Sequence, residues 1–330
     1  MGSTAVAREP ATDGETPAVR EALRKGKRTR QRDNAKWFWI FTGPFVLGLL
    51  IFSYIPIVWS VILSFGEAKN TVNPTQWVGF DNYINLLKSA SFRDSLLTFV
   101  VFAVFIVPLT YALSLGLAIL VNQVRFMRAF FRSAFFLPAA CSYVVAALIW
   151  KQTIFNGLPT GLANRVVTFF GGESQAWLAT TQPPLYWIVL ITVRLWLQVG
   201  FYMILLLAAL QKIAPDLYEA AYVDGANPGW QTFRYITLPQ IRAASISVIV
   251  LLTINAFQAF DEFWNVLSSS KGYPPYAQPP LVYLYQVGLG TGQDFGRGGA
   301  GGVILTVVIL IFTLLQTRLL GLGKRAGREG

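Results

Sequence analysis

Long apolar stretches alternate with short polar segments along most of the chain. A helix needs about 20 apolar residues to cross about 30 Å of hydrocarbon. Strands of a membrane barrel are about ten residues long and alternate in polarity, so the length of these stretches predicts helices instead. The predicted spans are Trp37–Phe65, Ser95–Val121, Phe130–Phe155, Leu185–Leu210, Ala243–Leu267 and Val303–Leu320.

Composition supports a membrane protein. Hydrophobic residues make up 54% of the chain and charged residues only 13%, against about 25% charged residues in soluble domains. We therefore predict an all-α membrane protein in which residues 37–320 form one bundle of six transmembrane helices. Residues 1–36 are predicted to form a disordered basic tail, and residues 321–330 a second tail. Within the first tail, Glu21–Lys36 fits either a basic helix on an anionic membrane surface or a solvated topology signal.

The distribution of Lys and Arg predicts the orientation. Nineteen of these residues fall on the side of both termini and seven on the opposite side. Cytoplasmic loops carry the excess of positive charge, so both termini are predicted in the cytoplasm. The net charge of +11 clusters at span ends and in the N-terminal tail, which does not favour nucleic-acid binding.

The chain has one cysteine and no histidine. This excludes an intrachain disulfide, Cys/His zinc sites and His-based catalytic triads. We predict that Cys141 is a small apolar residue within a helix. We expect neither a metal nor a cofactor.

The loop Gln211–Gln240 lies on the cytoplasmic side by the charge count and carries signals of a short helix. Pro215 suits a first helical turn, and Asp216 favours the positive end of the helix. Gly225 and the following Asn-Pro-Gly run stop the helix after about ten residues. Its small and acidic side chains, with Tyr218 one turn from Tyr222, fit either a knob that docks in a partner's groove or an ordinary helix on the floor of the bundle.

The loop resembles the EAA loop of binding-protein-dependent ABC importer permeases. The residues that carry the resemblance are Glu219, Ala220, Ala221, Asp224, Gly225, Ala226, Phe233, Ile236, Leu238 and Pro239. Trp77–Tyr83 is similar to the WxGxxNY stretch of sugar-type permeases, and Phe260–Glu262 and Leu281–Gln286 also fit that group. The resemblance covers roughly Trp37 to Leu320. It departs from the family at Arg242-Ala243-Ala244, where a proline often follows the Leu-Pro pair.

The resemblance implies a type I permease-like bundle, close to maltose and glycerol-phosphate permeases, and a mechanism. The EAA helix would sit in a cleft of a separate ATPase subunit, with Glu219 paired to a basic residue there and Gly225 allowing the sharp turn. The implied partners, in a bacterial cytoplasmic membrane, are an ATPase dimer that binds ATP, a second permease that forms a heterodimer with this chain, and an external solute-binding protein. The chain itself would catalyse no covalent chemistry.

Polar residues within spans 4 and 5 are candidates for a substrate pathway, because such residues are costly in lipid and tend to face a cavity. Amides and carboxylates bond hydroxyl groups and aromatic rings stack on sugars, so a sugar is the predicted solute. The alternative is that these residues satisfy one another as interhelical contacts, with Arg194 pairing to Asp261 or Glu262. The candidates are Arg194, Gln198, Phe201, Asn255, Gln258, Asp261 and Glu262. The resemblance to maltose-type permeases places sugar contacts in the same two helices.

The remaining motifs leave two rival functions. Gly288–Gly302 is glycine-rich but has no phosphate-binding GxxxxGK[ST] pattern, so it is predicted to be a flexible external loop. No nucleotide-binding motif occurs, and ATP hydrolysis would come from a partner. One rival is a secondary transporter with Asp261 and Glu262 as ion sites. The other is a membrane-embedded enzyme, which lacks a partner base or metal set.

Overall fold

The computed structural model describes residues 36–124, 126–227, 229–268, 273–274, 276–290 and 292–319. The predicted tails, residues 1–36 and 321–330, lie outside these ranges apart from Lys36. Residues up to Ser60 and residues from Val61 onward form two separate compact units. Four helices are long and apolar enough to cross a membrane, and counting each of two bent helix pairs as one span gives six. The predicted number of spans is therefore reproduced.

The first helix, α1, runs over Lys36–Leu63 and agrees with the predicted span Trp37–Phe65. Its middle widens into a π-helical turn at Leu50–Tyr54, directly before Pro56. A proline lacks the N–H that would bond the carbonyl four residues earlier, and its ring crowds that carbonyl. The wider turn relieves this conflict without ending the helix.

Two small elements follow. Strands β1, Gly66–Glu67, and β2, Gln76–Trp77, pair antiparallel. Helix α2 covers Asp81–Lys88. The buried side chain of Asn82 fixes this helix, because its amide donates to the carbonyls of Ser64 at 3.0 Å and Gly66 at 2.9 Å.

Helices α3, Ala90–Gln123, and α7, Tyr186–Leu210, form the centre of the bundle. Their buried faces pack on each other through large apolar side chains, and the hydroxyl of Ser114 donates to the carbonyl of Val199 at 3.0 Å. Such side chain to backbone bonds hold membrane helices together where no water competes. Pro108 lies within α3 without ending it.

The third predicted span is bent, not a single straight helix. Helix α4, Arg128–Phe136, continues as a 3₁₀ turn, Leu137–Ala140, and then meets α5, Tyr143–Ile149, whose last turn Trp150–Ile154 is π-helical. The two halves differ in direction by 94°.

Extended backbone at Cys141 makes the bend in the third span. The hydroxyl of the next residue, Ser142, caps α5 by accepting the N–H of Val144 at 3.3 Å. Cys141 is exposed at this break, so the prediction that it lies within a helix was wrong.

The fifth predicted span, Ala243–Leu267, is also broken. Helix α9, Trp230–Gln240, meets α10, Arg242–Phe257, at an angle of 73°. The chain breaks again after Phe257 and resumes as α11, Asp261–Leu267. Between them, Phe260 has φ −141° and ψ −58°, which is not helical. The i, i+3, i+7 spacing of Asn255, Gln258 and Glu262 predicts that they share one helix face, and this prediction was wrong because the helix is broken between them.

The glycine-rich segment is helical from Phe295 onward. After α12, Pro280–Gly288, the last helix α13 begins at Phe295 and runs to Leu319, so it starts earlier than the predicted Val303. A Cβ at Gly296 would lie 2.4 Å from the carbonyl oxygen of Gly66. Glycine lets the two backbones approach this closely, and the prediction of a flexible loop was wrong for this half of Gly288–Gly302.

The two remaining short helices are α6, Leu162–Phe169, between α5 and α7, and α8, Pro215–Val223, between α7 and α9. Of the EAA-like residues, helix α8 contains Glu219, Ala220 and Ala221. We call the end of the bundle that carries Gln211–Gln240 the loop side.

Candidate functional site

A buried ion pair lies at the centre of the candidate substrate pathway. The guanidinium of Arg194 on α7 donates to the carboxylate of Glu262 on α11, and the two side chains are 4% and 1% exposed. A second guanidinium nitrogen donates to the carbonyl of Asn255 at 2.6 Å. The pair therefore ties α7 to α10 and α11 across the break in the fifth span.

The structure decides which carboxylate neutralises Arg194. Glu262 is buried against it, whereas Asp261 is exposed at the first turn of α11. Two aromatic rings add to the cation's surroundings, since its guanidinium carbon lies 5.7 Å from the ring centre of Phe102 and 5.8 Å from that of Tyr143. A buried charge needs such a partner because taking it out of water costs several kcal/mol.

Two amide side chains are also satisfied within the bundle. Gln198 donates to the hydroxyl of Tyr143 at 2.9 Å, joining α7 to α5. Asn255 donates to the hydroxyl of Tyr202 at 3.0 Å, joining α10 to α7. In this conformation Arg194, Gln198, Asn255 and Glu262 all make the interhelical contacts that formed the alternative interpretation.

The other three candidates are exposed. Phe201, Gln258 and Asp261 are exposed, and so is Asn255, although its amide bonds Tyr202. Beside Gln258 and Asp261, the rings of Phe260 and Trp264 stack at 5.7 Å, and that of Tyr285 meets them edge-on at 5.5 and 4.9 Å. We call Phe260, Trp264 and Tyr285 the aromatic platform.

Sequence reasoning missed several residues of this region. Tyr143 and Tyr202 receive the two amide bonds, but a tyrosine in an apolar helix gives no signal of its partner. Tyr285 lay in the aromatic run Leu281–Gln286, and that run was the available signal. Within the described residues, no group of three Asp, Glu, His or Cys side chains could hold a metal ion.

The short helix predicted in the loop Gln211–Gln240 is confirmed as α8. It has nine residues, with proline in its first turn. Glu219 and Ala220 are exposed, and Ala221 is partly buried. Gly225 has φ +85°, the left-handed region that favours glycine, and the N–H of Ala226 closes the turn on the carbonyl of Ala221 at 2.9 Å.

The opposite side of α8 is anchored to the bundle. The hydroxyls of Tyr218 and Thr237 share a hydrogen bond of 2.9 Å, and Thr237 is buried in α9. Tyr218 therefore contacts this chain's own floor instead of a partner's groove, while Tyr222 stays 47% exposed. The two interpretations of the loop, docking on a partner and packing on the bundle, thus apply to two different sides of α8.

The exposed turn around Asp224 links α8 to α9, which contains Leu238 and Pro239. Leu238 is partly buried and Pro239 exposed. Helix α10 begins at Arg242, directly after the bend. The missing family proline therefore leaves an ordinary helix start at this position.

Known proteins with similar sequences are sugar transport permeases. The chain is 33% identical over 292 residues to the arabinooligosaccharides transport system permease protein AraP of Bacillus subtilis, covering 88% of this chain and 90% of the relative. It is 29% identical over 294 residues to the probable starch degradation products transport system permease protein AmyD of Thermoanaerobacterium thermosulfurigenes, covering 89% and 97%. No family model matches the chain.

Solved structures agree in fold. A bacterial ABC transporter involved in the import of the acidic polysaccharide alginate has a chain that superposes with a TM-score of 0.76 at 25% identity, covering 90% of this chain and all of that one. Another structure, of an alginate ABC transporter in complex with an alginate pentasaccharide-bound periplasmic protein, gives 0.74 at 26% identity. The identity to the transport permeases and the shared fold show that the chain belongs to the family of permease subunits of sugar-transporting ABC importers.

Proposed function

We propose that this permease forms half of a sugar pathway and is driven through α8 by a separate ATPase. The observation that carries the proposal is that α8 has two different sides: Glu219 and Ala220 are exposed, while Tyr218 is bonded to the bundle through Thr237. A helix attached in this way can transmit a movement of its partner to the spans. The charge distribution supports a cytoplasmic position for the loop side and both termini.

The contacts from α8 to α11 indicate how this movement would reach the substrate pathway. Helix α9 follows α8 and meets α10 at its bend, and α10 carries Asn255, whose carbonyl accepts from Arg194. Arg194 in turn holds Glu262 on α11. Closure of an ATPase dimer would then change the positions of α10 and α11 against α7 and switch the pathway from inward- to outward-facing.

The proposed partners would hydrolyse ATP, complete the pathway and deliver the solute. The chain has no nucleotide-binding motif, so we infer that an ATPase dimer binds and hydrolyses ATP. A second, related permease would complete the pathway, and an external solute-binding protein would deliver the sugar. The alginate transporter solved with its periplasmic protein provides a precedent for the last contact.

The solute is proposed to be a sugar that contacts the aromatic platform. Its stacked and edge-on rings offer apolar faces, and the exposed Gln258 and Asp261 lie next to it in the chain. The named relatives transport arabinooligosaccharides and starch degradation products, both rich in hydroxyl groups. The ion-gradient alternative is disfavoured, because Glu262 is already neutralised by Arg194.

Gly225→Asp is expected to abolish ATP-dependent sugar uptake while leaving membrane insertion intact. The substitution strains the left-handed turn and adds a negative charge beside the proposed docking face. Uptake of radiolabelled sugar in membrane vesicles, with immunoblotting of the membrane fraction, measures both effects. We expect the same loss for Glu219→Ala.

Gly171→Asp provides the matched control for Gly225→Asp. Both glycines have a positive φ, +81° and +85°, and a Cβ at either position meets no atom within 4 Å. Gly171 lies after α6, away from α8 in the chain, so its variant should transport normally. Unchanged uptake in Gly225→Asp, or equal loss in both variants, would refute docking at α8.

Gln198→Ala is expected to raise the KM for uptake about three- to tenfold, the value of one hydrogen bond to the sugar. The comparison with Tyr143→Phe separates the two roles of Gln198. Both variants remove the bond between Gln198 and Tyr143, but only Gln198→Ala removes the amide. Equal kinetics in the two variants would assign Gln198 to helix packing alone.

A further inference from the structure

A cavity of about 1200 Å³ lies between α8 and the ends of the spans on the loop side. Its wall combines the last residues of α3, the start of α4, the end of α7, helix α8 and the first half of α9. The lining residues that the inference uses are Arg128, Arg132, Tyr218, Tyr222, Trp230 and Phe233. Neither the proposed sugar site nor the exposed face of α8 includes this cavity.

The charged residues that line the cavity are all basic. Two arginines, Arg128 and Arg132, contribute to its wall and none of the lining residues is acidic. Arg128 is partly committed, since it donates to the carbonyls of Val124 at 3.1 Å and Asn122 at 2.7 Å and so caps the end of α3. Arg132 is exposed and makes no hydrogen bond or ion pair with any described residue. An unpaired guanidinium beside a second one favours an anion, and a phosphate matches its planar donors best.

The remaining lining identifies the kind of phosphate. Amides and hydroxyls, from Asn122, Gln211 and Tyr218, alternate with apolar groups, from Leu210 and Phe233. The cavity also lies where three spans end, which is the depth of lipid headgroups. Basic pockets between spans on the cytoplasmic side bind anionic headgroups. A sugar would not require the positive charge of the cavity. The basic N-terminal tail would be repelled by that charge.

We propose that this cavity binds the headgroup of an anionic phospholipid of the cytoplasmic leaflet. The phosphate would pair with Arg132 and Arg128, and the glycerol region would contact the rings of Trp230 and Phe233. Because Tyr218 belongs to α8 and is bonded to Thr237, the bound lipid would touch the proposed docking helix from the side that is anchored to the bundle. The site rests on the cytoplasmic orientation proposed above but not on ATP coupling or on the sugar.

Lipid retention by the purified complete transporter tests the site. The transporter is incubated with equal amounts of phosphatidylglycerol and phosphatidylcholine, and the lipids retained are counted by native mass spectrometry. The wild type should retain phosphatidylglycerol preferentially. Arg132→Gln should lower that retention about fivefold, the equivalent of one basic residue near a membrane surface, and Arg132→Lys should keep most of it.

Arg318→Gln is the matched control, because Arg318 is an exposed arginine near the end of α13 and does not line the cavity. Its variant should retain phosphatidylglycerol like the wild type. Undiminished retention in Arg132→Gln, or equal loss in Arg318→Gln, would overturn the proposal. Displacement of the lipid by inorganic phosphate alone would do so too, since it would assign the cavity to free phosphate. Because sugar uptake is assayed separately, failure of this site leaves the transport proposal untouched.

Discussion

Replacing Glu262 with Gln should destabilise the folded protein by about 3–5 kcal/mol, because it leaves the charge of Arg194 buried without a counter-charge. Both side chains of the pair are almost fully buried, so water cannot replace the lost carboxylate. The pair also holds α11 against α7 across the break that follows Phe257. We therefore expect a lower midpoint of thermal unfolding in detergent and a smaller yield of monodisperse protein.

Asp261→Asn is the matched control for Glu262→Gln. It removes the same charge from the adjacent residue, which is exposed, so its effect should stay within about 0.5 kcal/mol. A double variant, Arg194→Met with Glu262→Leu, should recover most of the lost stability, because replacing both charges with apolar groups avoids the unpaired cation. If Glu262→Gln unfolds at the same temperature as Asp261→Asn, the buried pair does not stabilise the bundle.

Among the described glycines, Gly200→Ala should be the alanine substitution that destabilises the bundle most. A Cβ at Gly200 would lie 1.7 Å from the carbonyl oxygen of Phe135 and 3.1 Å from the Cα of Phe136. These are backbone atoms of α4, so no side chain can rotate to make room. Helices α4 and α7 would have to separate, and we expect a loss of about 3 kcal/mol or more, at the upper end for overpacked cores.

Gly116→Ala tests whether Gly200→Ala acts through this contact. Gly116 lies within α3, where a Cβ meets nothing within 4 Å. Alanine is favoured over glycine in a helix by about 1 kcal/mol, so this variant should be as stable as the wild type or more so. Thermal unfolding of both variants in the same detergent gives the comparison. Equal stability of Gly200→Ala and the wild type would mean that α4 does not lie this close to α7.

The sequence determined the features that depend on local composition. Apolar stretches of about 20 residues have to be helical in lipid, because every backbone N–H and C=O needs an internal partner there. The number of spans and the core of each therefore followed from hydropathy. Helix α8 was equally local, since Pro215 and Gly225 mark its two ends within the chain. The resemblance carried by Glu219–Pro239 predicted the family that the comparisons confirmed.

Only the tertiary structure decided which groups meet. The bend at Cys141 and the break before Asp261 lie inside stretches that hydropathy predicts to be single spans, and the bend at Ile241 lies just before the predicted start of the fifth span. Burial, which depends on the neighbouring helices, selected Glu262 over Asp261 as the partner of Arg194. The sequence predicted a loop at Gly296, whereas the structure has a helix there that packs closely on the backbone of Gly66. Composition can be read from one segment alone, whereas the ion pair and the close backbone contact each depend on two segments that meet only in the fold.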